Sequence, residues 1–492
     1  MAKKWLILAV IILIYLPVSI DATVLHVAIP RLSVGLGASN NELLWIIDIY
    51  SLVMAGLLLP MGALGDRIGY KRLTLLGTGL FGVASLCAAL STTAMMLIIS
   101  RAFLGIGAAM ILPATLSGVR QTFPERKERD FALGLWVAVG TGGAMIGPIV
   151  GGFLLEHFYW GSVFMLNVPI VLMTLLLTHF LIPQQPIRKE QPLYLGQATA
   201  LTVSLLLLIF VAKSLIHPTV SGWLIFAFAL IGLWLFRRFV QQQLQSSRPM
   251  LDISLLTNRT LLLGVMMALT PMIAMIGFEL LMAQELQFVI GKSPLEAGLF
   301  MLPLMIASGI AGPVAGKLSA KVGIRSVALT GMLLSAVSFW GLSITNFSTQ
   351  PLQAGFWMVI LGLGASSVFF AATSTIMASS PPEKASAAGA IEGMAYELGA
   401  GFGVAIFGLL LAGIYTSHIS LPTGLTFEQT QYASDSISEA VQIVDEIGGQ
   451  LGEQVMIAAK TAFSSAHSVV LKIISLIFVL LALPIWRHKQ LR

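Results

Sequence analysis

Long apolar runs separated by short polar turns set the rhythm of this chain. A helix that crosses a hydrocarbon core of roughly 30 Å needs about 20 mostly apolar residues. Fourteen segments are read as such helices, at approximately 6–28, 43–64, 73–90, 95–117, 131–155, 163–182, 195–212, 223–239, 261–282, 297–318, 327–344, 352–377, 387–412 and 469–485. The one long interval outside them, 414–463, sets Glu428, Asp435, Glu439, Asp445, Glu446 and Glu453 against Lys460 alone. Its 434–463 part is predicted helical, with interruptions at Gly448, Gly449 and Gly452. It reads either as a solvated loop or as an acidic, cation-attracting vestibule.

Composition agrees with the pattern. Hydrophobic residues are 57% and charged residues 10% of 492, with a mean hydropathy of +0.90. A soluble domain carries roughly a quarter charged residues, so water is not the solvent for most of this surface. The bilayer is the first partner implied. Cys87 is the sole cysteine, which excludes disulfides and cysteine-based metal sites within the chain. The net charge of +6 is scattered in short clusters between apolar runs, which is no nucleic-acid footprint.

Those clusters orient the chain. With the amino terminus in the cytoplasm, 22 of the 28 Lys and Arg fall on that side, and Arg31, Lys213, Lys292 and Lys460 fall outside. Arg101 and Lys472 lie within predicted spans. By the positive-inside rule both termini are cytoplasmic. Lys3 and Lys4 precede the first span, but no convincing small-residue cleavage site follows, so an uncleaved span is preferred to a signal peptide.

The pattern repeats. Gly62-Ala-Leu-Gly-Asp66-Arg67-Ile-Gly69-Tyr-Lys71 recurs at an offset of 254 as Gly316-Lys-Leu-Ser-Ala320-Lys321-Val-Gly323-Ile-Arg325. Pro17 and Pro271 share that offset, as do Glu42 and Glu296, while Gly105-Ile-Gly107 recurs as Gly362-Leu-Gly364 at 257. Two six-helix halves are implied, 1–182 and 259–492, with 183–258 inserting two additional helices between them.

Four motifs carry a family resemblance. Gly62 and Gly69 permit tight backbone geometry in a short turn where Asp66 stands among Arg67, Lys71 and Arg72. The segment resembles the loop-2–3 signature of the major facilitator superfamily, which implies a conformational latch formed by Gly62, Asp66, Arg67, Gly69 and Arg72. Arg101 followed by Gly105-Ile-Gly107 is similar to that superfamily's fourth-helix motif, whose arginine is associated with proton transfer. Gly143-Ala-Met-Ile-Gly147-Pro148-Ile-Val-Gly151-Gly152 resembles its antiporter signature, a hinge or seal in that reading and simple helix packing in the other. Asp21-Ala-Thr-Val-Leu-His26-Val-Ala-Ile-Pro30 resembles the first-helix motif of the fourteen-helix drug:proton antiporters. Two departures stand out: His26 where that motif usually has Asn, and Ala320 where the second-half loop lacks the acidic residue.

The resemblance spans nearly the whole chain and implies a major facilitator fold and a bacterial inner-membrane exporter. Its substrates would be quaternary ammonium compounds, methyl viologen and similar lipophilic cationic biocides and dyes, exchanged for protons. Neither cofactor nor metal is expected, and the working unit is expected to be a monomer.

Ionisable residues inside spans are costly and mark function by default. Asp21 and Glu392 are the main candidates for proton coupling and cation binding, followed by Asp48, Glu397, Arg101 and Glu279. A carboxylate in a low-dielectric cavity holds a proton in one state and releases it in another, and a drug cation favours its ionised form. Arg101 reads equally as a structural partner of Asp21 or Asp48 and as a proton relay. His26 reads as a hydrogen-bonded helix contact. Trp45, Tyr50, Trp136, Phe278, Trp357 and Tyr396 are candidates to line a pocket whose π-faces attract a cation.

Other classes fit less well. The sequence has no P-loop for an ATP-driven pump and no His-Glu-x-x-His for a metalloenzyme. A channel would not need the two-half repeat. The alternative retained is a proton-coupled transporter of a metabolite such as an amino acid or a siderophore.

Overall fold

A computed structural model describes residues 2–36, 38, 40–187, 195–216, 221–246, 258–380 and 385–487. Every regular element among them is helical. The first copy of the repeat comprises α1 (Ala2–Leu36), α2 (Asn40–Ile68), α3 (Tyr70–Ala89), α4 (Ala94–Thr122), α5 (Arg126–His157), the single turn α6 (Ser162–Met165) and α7 (Asn167–Leu181). Two helices follow, α8 (Leu195–Ile216) and α9 (Gly222–Gln245). The second copy opens with α10 (Arg259–Gln284), whose last turn widens into a π turn at Glu285–Val289. It continues through α11 (Pro294–Phe300), α12 (Leu302–Val322), α13 (Ile324–Ser343), α14 (Pro351–Ala378) and α15 (Ala385–His418) to α16 (Phe427–Asp435), α17 (Ile437–Ile447) and α18 (Gly449–Arg487).

Among the described residues, 12 helices are long and apolar enough to cross a membrane. The predicted fifth and seventh spans are helices too, α5 and α8; several of their side chains lie outside the described residues, and neither is among the 12. The chain is thus an all-helical bundle with about 12 candidate spans.

The polar interval is shorter than predicted. Helix α15 runs on to His418, and α18 starts at Gly449 and continues without interruption to Arg487. Gly448, at φ 60, ends α17, whereas Gly452 lies inside α18, where an added Cβ would meet the Val444 carbonyl at 3.2 Å. That glycine permits a close helix approach and does not break the helix. Capping explains the two cap helices: Thr426 and Gln429 form a reciprocal capping box, and Ser436 accepts from the Glu439 amide at 3.2 Å. The cap is tied down by Tyr415 and Thr416, which donate to the carbonyls of Ala433 and Ser434 at 3.0 and 2.9 Å. Burial, with Asp435 nearby, raises the Glu439 carboxyl above the ordinary glutamate range.

The repeat seen in sequence reappears as repeated contacts. Gly69 and Gly323 adopt nearly the same conformation, φ 87 and φ 82, which only glycine holds cheaply, and each separates two helices. Gly62 lies within α2, so the predicted tight turn is made by Gly69 alone. An added Cβ on Gly105 would meet the Tyr50 carbonyl at 2.6 Å, and on Gly362 the Leu304 carbonyl at 2.5 Å. Gly107 and Gly364 face Gly77 and Gly331 in the same way. Each pair of partners repeats at the offset of 254. The same register places Lys71 Nζ on the carbonyls of His179 and Ile182 at the end of α7, and Arg325 on the Trp486 carbonyl at the end of α18. A cation at a helix C-terminus completes carbonyls that lack intrahelical donors.

The copies meet at the end of the bundle where the amino terminus lies. Gly134 of α5 and Gly312 of α12 cross so closely that a Cβ on Gly134 would lie 2.4 Å from the Gly312 carbonyl oxygen. Asp130, buried at the start of α5, accepts from Ser319 Oγ of α12 at 3.5 Å and Ser374 Oγ of α14 at 3.2 Å. Arg120 at the end of α4 donates to the carbonyls of Met377 and Ser380. Replacing Gly134 with Ala is expected to force α5 and α12 apart and to cost about 1–3 kcal/mol, the usual range for overpacking. Thermal melting of the detergent-solubilised protein checks this, and an unchanged midpoint would show that the crossing is not tight.

Candidate functional site

The first centre joins three helices. Asp21 on α1 and Arg101 on α4 are 1% and 2% exposed, and Arg101 Nη1 approaches Asp21 Oδ2 at 2.5 Å. The guanidinium also donates from Nε to the Ile46 carbonyl of α2 at 3.1 Å and lies 4.5 Å from the centroid of the Tyr50 ring. Three different interactions therefore hold one buried cation: an ion pair, a carbonyl and a π-face. Of the two partners weighed for Arg101, the structure pairs it with Asp21. Asp48 lies on α2, but its side chain, like those of His26 and Pro148, is outside the described residues.

The second centre belongs to α14 and α15. Glu392, 0% exposed, receives two hydroxyls on Oε1, from Thr373 of α14 and from Tyr396 one turn along α15 at 2.7 Å. Its Oε2 is buried without a hydrogen-bond partner among the described residues. Half-buried Glu397, on the same helix, reaches the Ser51 hydroxyl of α2, which links the centre to the first copy.

An aromatic pair joins α1 to α5. Tyr15 of α1 stacks on Trp136 of α5, with centroids 4.4 Å apart and planes within 2°. Trp136 Nε1 donates to Thr115 Oγ1 of α4 at 3.2 Å, which fixes the indole. Tyr15 lies within electrostatic reach of Glu392 and Glu397, and Tyr50 within reach of Asp21, Arg101, Glu397 and Tyr15. Asp21–Arg101–Tyr50 and Glu392–Thr373–Tyr396 are thus two buried clusters, one in each copy of the repeat, with Tyr15, Tyr50 and Glu397 within electrostatic reach between them.

The other predicted aromatics lie elsewhere. Trp45 stacks on Phe210 of α8 at 6.0 Å, Phe278 meets Phe339 edge-on at 5.9 Å, and Trp357 presses its ring on Gly341. Each packs two helices together. Glu279 is half-buried on α10, next in sequence to Phe278. Three residues in or between the clusters, or at the closure, were not anticipated: Tyr15, Thr373 and Asp130. Tyr15 lies in an apolar run, and a threonine in a span has no periodicity of its own, so neither carried a signal. Asp130 sits at the very edge of a predicted span, where an acid reads as ordinary.

The predicted hinge glycines form a groove. Added Cβ atoms on Gly143, Gly147 and Gly151 would meet Ser19 at 2.8 Å, Thr23 at 2.2 Å and Val24 at 2.7 Å, all on α1. Gly152 has only Leu295 at 3.9 Å. The i, i+4 spacing lets α5 pack along the helix that carries Asp21. In the predicted latch, Arg72 Nη1 donates to the carbonyls of Ile68 at 3.1 Å and Gln185 at 3.3 Å, so it anchors the segment after α7. Asp66 and Arg67 are half-buried at the end of α2.

The profile described as Major Facilitator Superfamily matches residues 11–283 and again 260–419. Over 486 residues the chain is 57% identical to "Methyl viologen resistance protein SmvA" of Salmonella typhimurium, covering 99% of this chain and 98% of that protein. It is 37% identical over 465 residues to "Multidrug efflux pump LfrA" of Mycolicibacterium smegmatis, covering 94% and 92%. Among solved structures, the human organic anion transporter MFSD10 (TETRAN) superposes with a TM-score of 0.63 at 15% identity, covering 98% of this chain and 99% of that one. The proton:xylose symporter XylE gives 0.63 at 14% identity, covering 99% and 96%. At such identities the structures speak for the fold alone. Two profile matches that together run through most of the helical bundle, and a relative identical at more than half of its aligned positions, place this chain in the major facilitator superfamily.

Proposed function

We propose that this protein is a proton-coupled efflux antiporter for lipophilic cations, including quaternary ammonium compounds, dyes and cationic biocides, working by alternating access. The observation that carries the reading is the pair of buried carboxylate clusters, Asp21–Arg101 in one copy and Glu392 in the other, with Tyr15 and Tyr50 within electrostatic reach between them. A carboxylate that is out of water and only partly hydrogen-bonded has two ways to lose its uncompensated charge, by taking a proton or by taking a cation. Exclusive use of one group by the two is antiport. The Tyr15–Trp136 stack, whose Tyr15 lies within electrostatic reach of Glu392 and Glu397, would supply aromatic surface to a flat or quaternary cation. The methyl viologen resistance named for the Salmonella relative and the multidrug efflux named for the Mycolicibacterium one support the same substrate class.

In this reading α5 and α8 also cross the bilayer, for fourteen spans, with halves 1–182 and 259–492 about an insert at 183–258. The protein works as a monomer in a bacterial inner membrane with both termini in the cytoplasm. Asp130, Arg120 and the Gly134–Gly312 crossing then close the cytoplasmic side, and the latch residues Gly62, Asp66, Arg67, Gly69 and Arg72 hold the neighbouring turn in that state. The cap helices α16 and α17 lie outside.

Everted vesicles carrying a pH gradient test this. A quaternary ammonium dye is expected to release protons from vesicles with the wild-type protein, and Asp21→Asn is expected to lower that release at least tenfold at matched expression. No exchange with any cationic dye in the wild type would transfer the reading to a metabolite transporter.

A further inference from the structure

The second copy holds a buried acid–histidine pair outside the two central clusters. Where α10 ends in the π turn, Glu285 points inward and is 5% exposed. Its Oε1 accepts from Ser464 Oγ at 2.6 Å, and its Oε2 faces His467 Nδ1 at 3.3 Å, both on α18. His467 is 1% exposed. Phe347 stacks on its imidazole at 5.6 Å, and Phe463 stands edge-on at 6.4 Å. Its Nε2 is buried and has no hydrogen-bond partner among the described residues. A π turn breaks the regular ladder and is frequent at functional sites.

With neutral His467, Nδ1–H is given to Glu285, and the carboxylate charge has no counter-charge within hydrogen-bond distance in the described structure. The bare Nε2 is the atom that takes a proton. Once it does, a carboxylate bonded to an uncharged N–H becomes one half of a full ion pair, with direct Coulombic attraction added to the hydrogen bond. The elements packed around the pair carry other polar and charged groups. Helix α18 contributes Ser464, Lys460 and Lys472, and α13 with the turn after it contributes Ser343 and Phe347. Helix α17, which touches both the π turn and α18, brings Glu439, Asp445 and Glu446 to this end of the bundle. Lys292 follows the π turn, and α15 brings Tyr415 and His418.

Helix α10 lies between the pair and the helix that carries the central glutamates. It packs along α15, with Met272 on Gly399, Ile273 on Gly403 and Phe407 on Gly277. Helix α15 carries Glu392 and Glu397. We propose that Glu285 and His467 are positioning residues of the transport cycle, forming a clasp between the outer end of α10 and α18 that tightens when His467 takes a proton from the side of the acidic cap. The clasp rests on the proton-coupled reading above for its role in transport, but its geometry can be tested without transport.

The test uses the full-length protein in liposomes, in a Cys87→Ser background with spin labels at Gln284→Cys, the last residue of α10, and Ile457→Cys on α18. The distance between labels is expected to shorten from pH 8 to pH 5, and to become independent of pH in both His467→Gln and Glu285→Gln. In parallel, ethidium-driven proton exchange is measured against the pH on the cap side. His467→Gln is expected to lose that pH dependence with the KM for ethidium within twofold of wild type. A wild-type distance that ignores pH, or a His467→Gln protein that retains the wild-type distance change and pH–rate profile, overturns the clasp. A pH-dependent distance with no ethidium exchange in wild type supports the clasp and removes the transport reading instead.

Discussion

Glu392→Gln is expected to abolish dye-driven proton exchange while leaving the helix bundle intact. Glutamine keeps the shape of the side chain, and its carbonyl oxygen still accepts from Thr373 and Tyr396, so the two hydroxyls that hold Glu392 stay satisfied. What disappears is the exchangeable charge. Removing one partner of a buried charged contact costs roughly 2–5 kcal/mol, which is more than tenfold in affinity at about 1.4 kcal/mol per tenfold. Dye binding at equilibrium and proton release from vesicles should therefore fall together by at least that factor. A Glu392→Gln protein that binds dye weakly yet exchanges protons at the wild-type rate would assign the proton to another group, and Glu397 would be the first to replace next.

Arg101→Ala has the largest expected effect on stability. Asp21 would remain buried in α1 without its cation, and breaking a buried pair from one side typically costs about 3–5 kcal/mol. The Ile46 carbonyl and the Tyr50 face would lose their partner at the same time. A second substitution separates stability from function. In the Asp21→Asn/Arg101→Ala protein no charge is left stranded, so much of the thermal stability should return, while transport should not. Melting curves for the two variants, with vesicle exchange for the double variant, decide the point. If Arg101→Ala melts with the wild type, the ion pair contributes nothing to holding α1 against α4.

The helical fold and its duplication were legible in the chain for a simple reason. Apolar run length reports the thickness of the bilayer, and a repeated glycine reports a backbone conformation or contact that no other residue tolerates. Gly69 and Gly323, or Gly105 and Gly362, say so in sequence and do so in three dimensions. Asp21, Arg101 and Glu392 were legible because charge is rare in a span. Helix ends were less so: α18 begins at Gly449, where the predicted span begins only at 469, because the polar turns that precede the apolar run continue the same helix on buried small residues such as Ala459 and Ala462.

By itself the sequence determined which segments avoid water, which positions admit only glycine, and which charges are expensive enough to mark a site. Those are local properties, settled by each residue's solvation and backbone freedom. Only the tertiary structure decided partnership. It paired Arg101 with Asp21, stacked Tyr15 on Trp136, sent Trp45, Phe278 and Trp357 to helix contacts, and joined Glu285 to His467 across 182 residues of chain. An aromatic ring lowers its free energy equally well against another helix or against a cation, so its sequence position carries no preference, and only the packing of distant helices makes the choice.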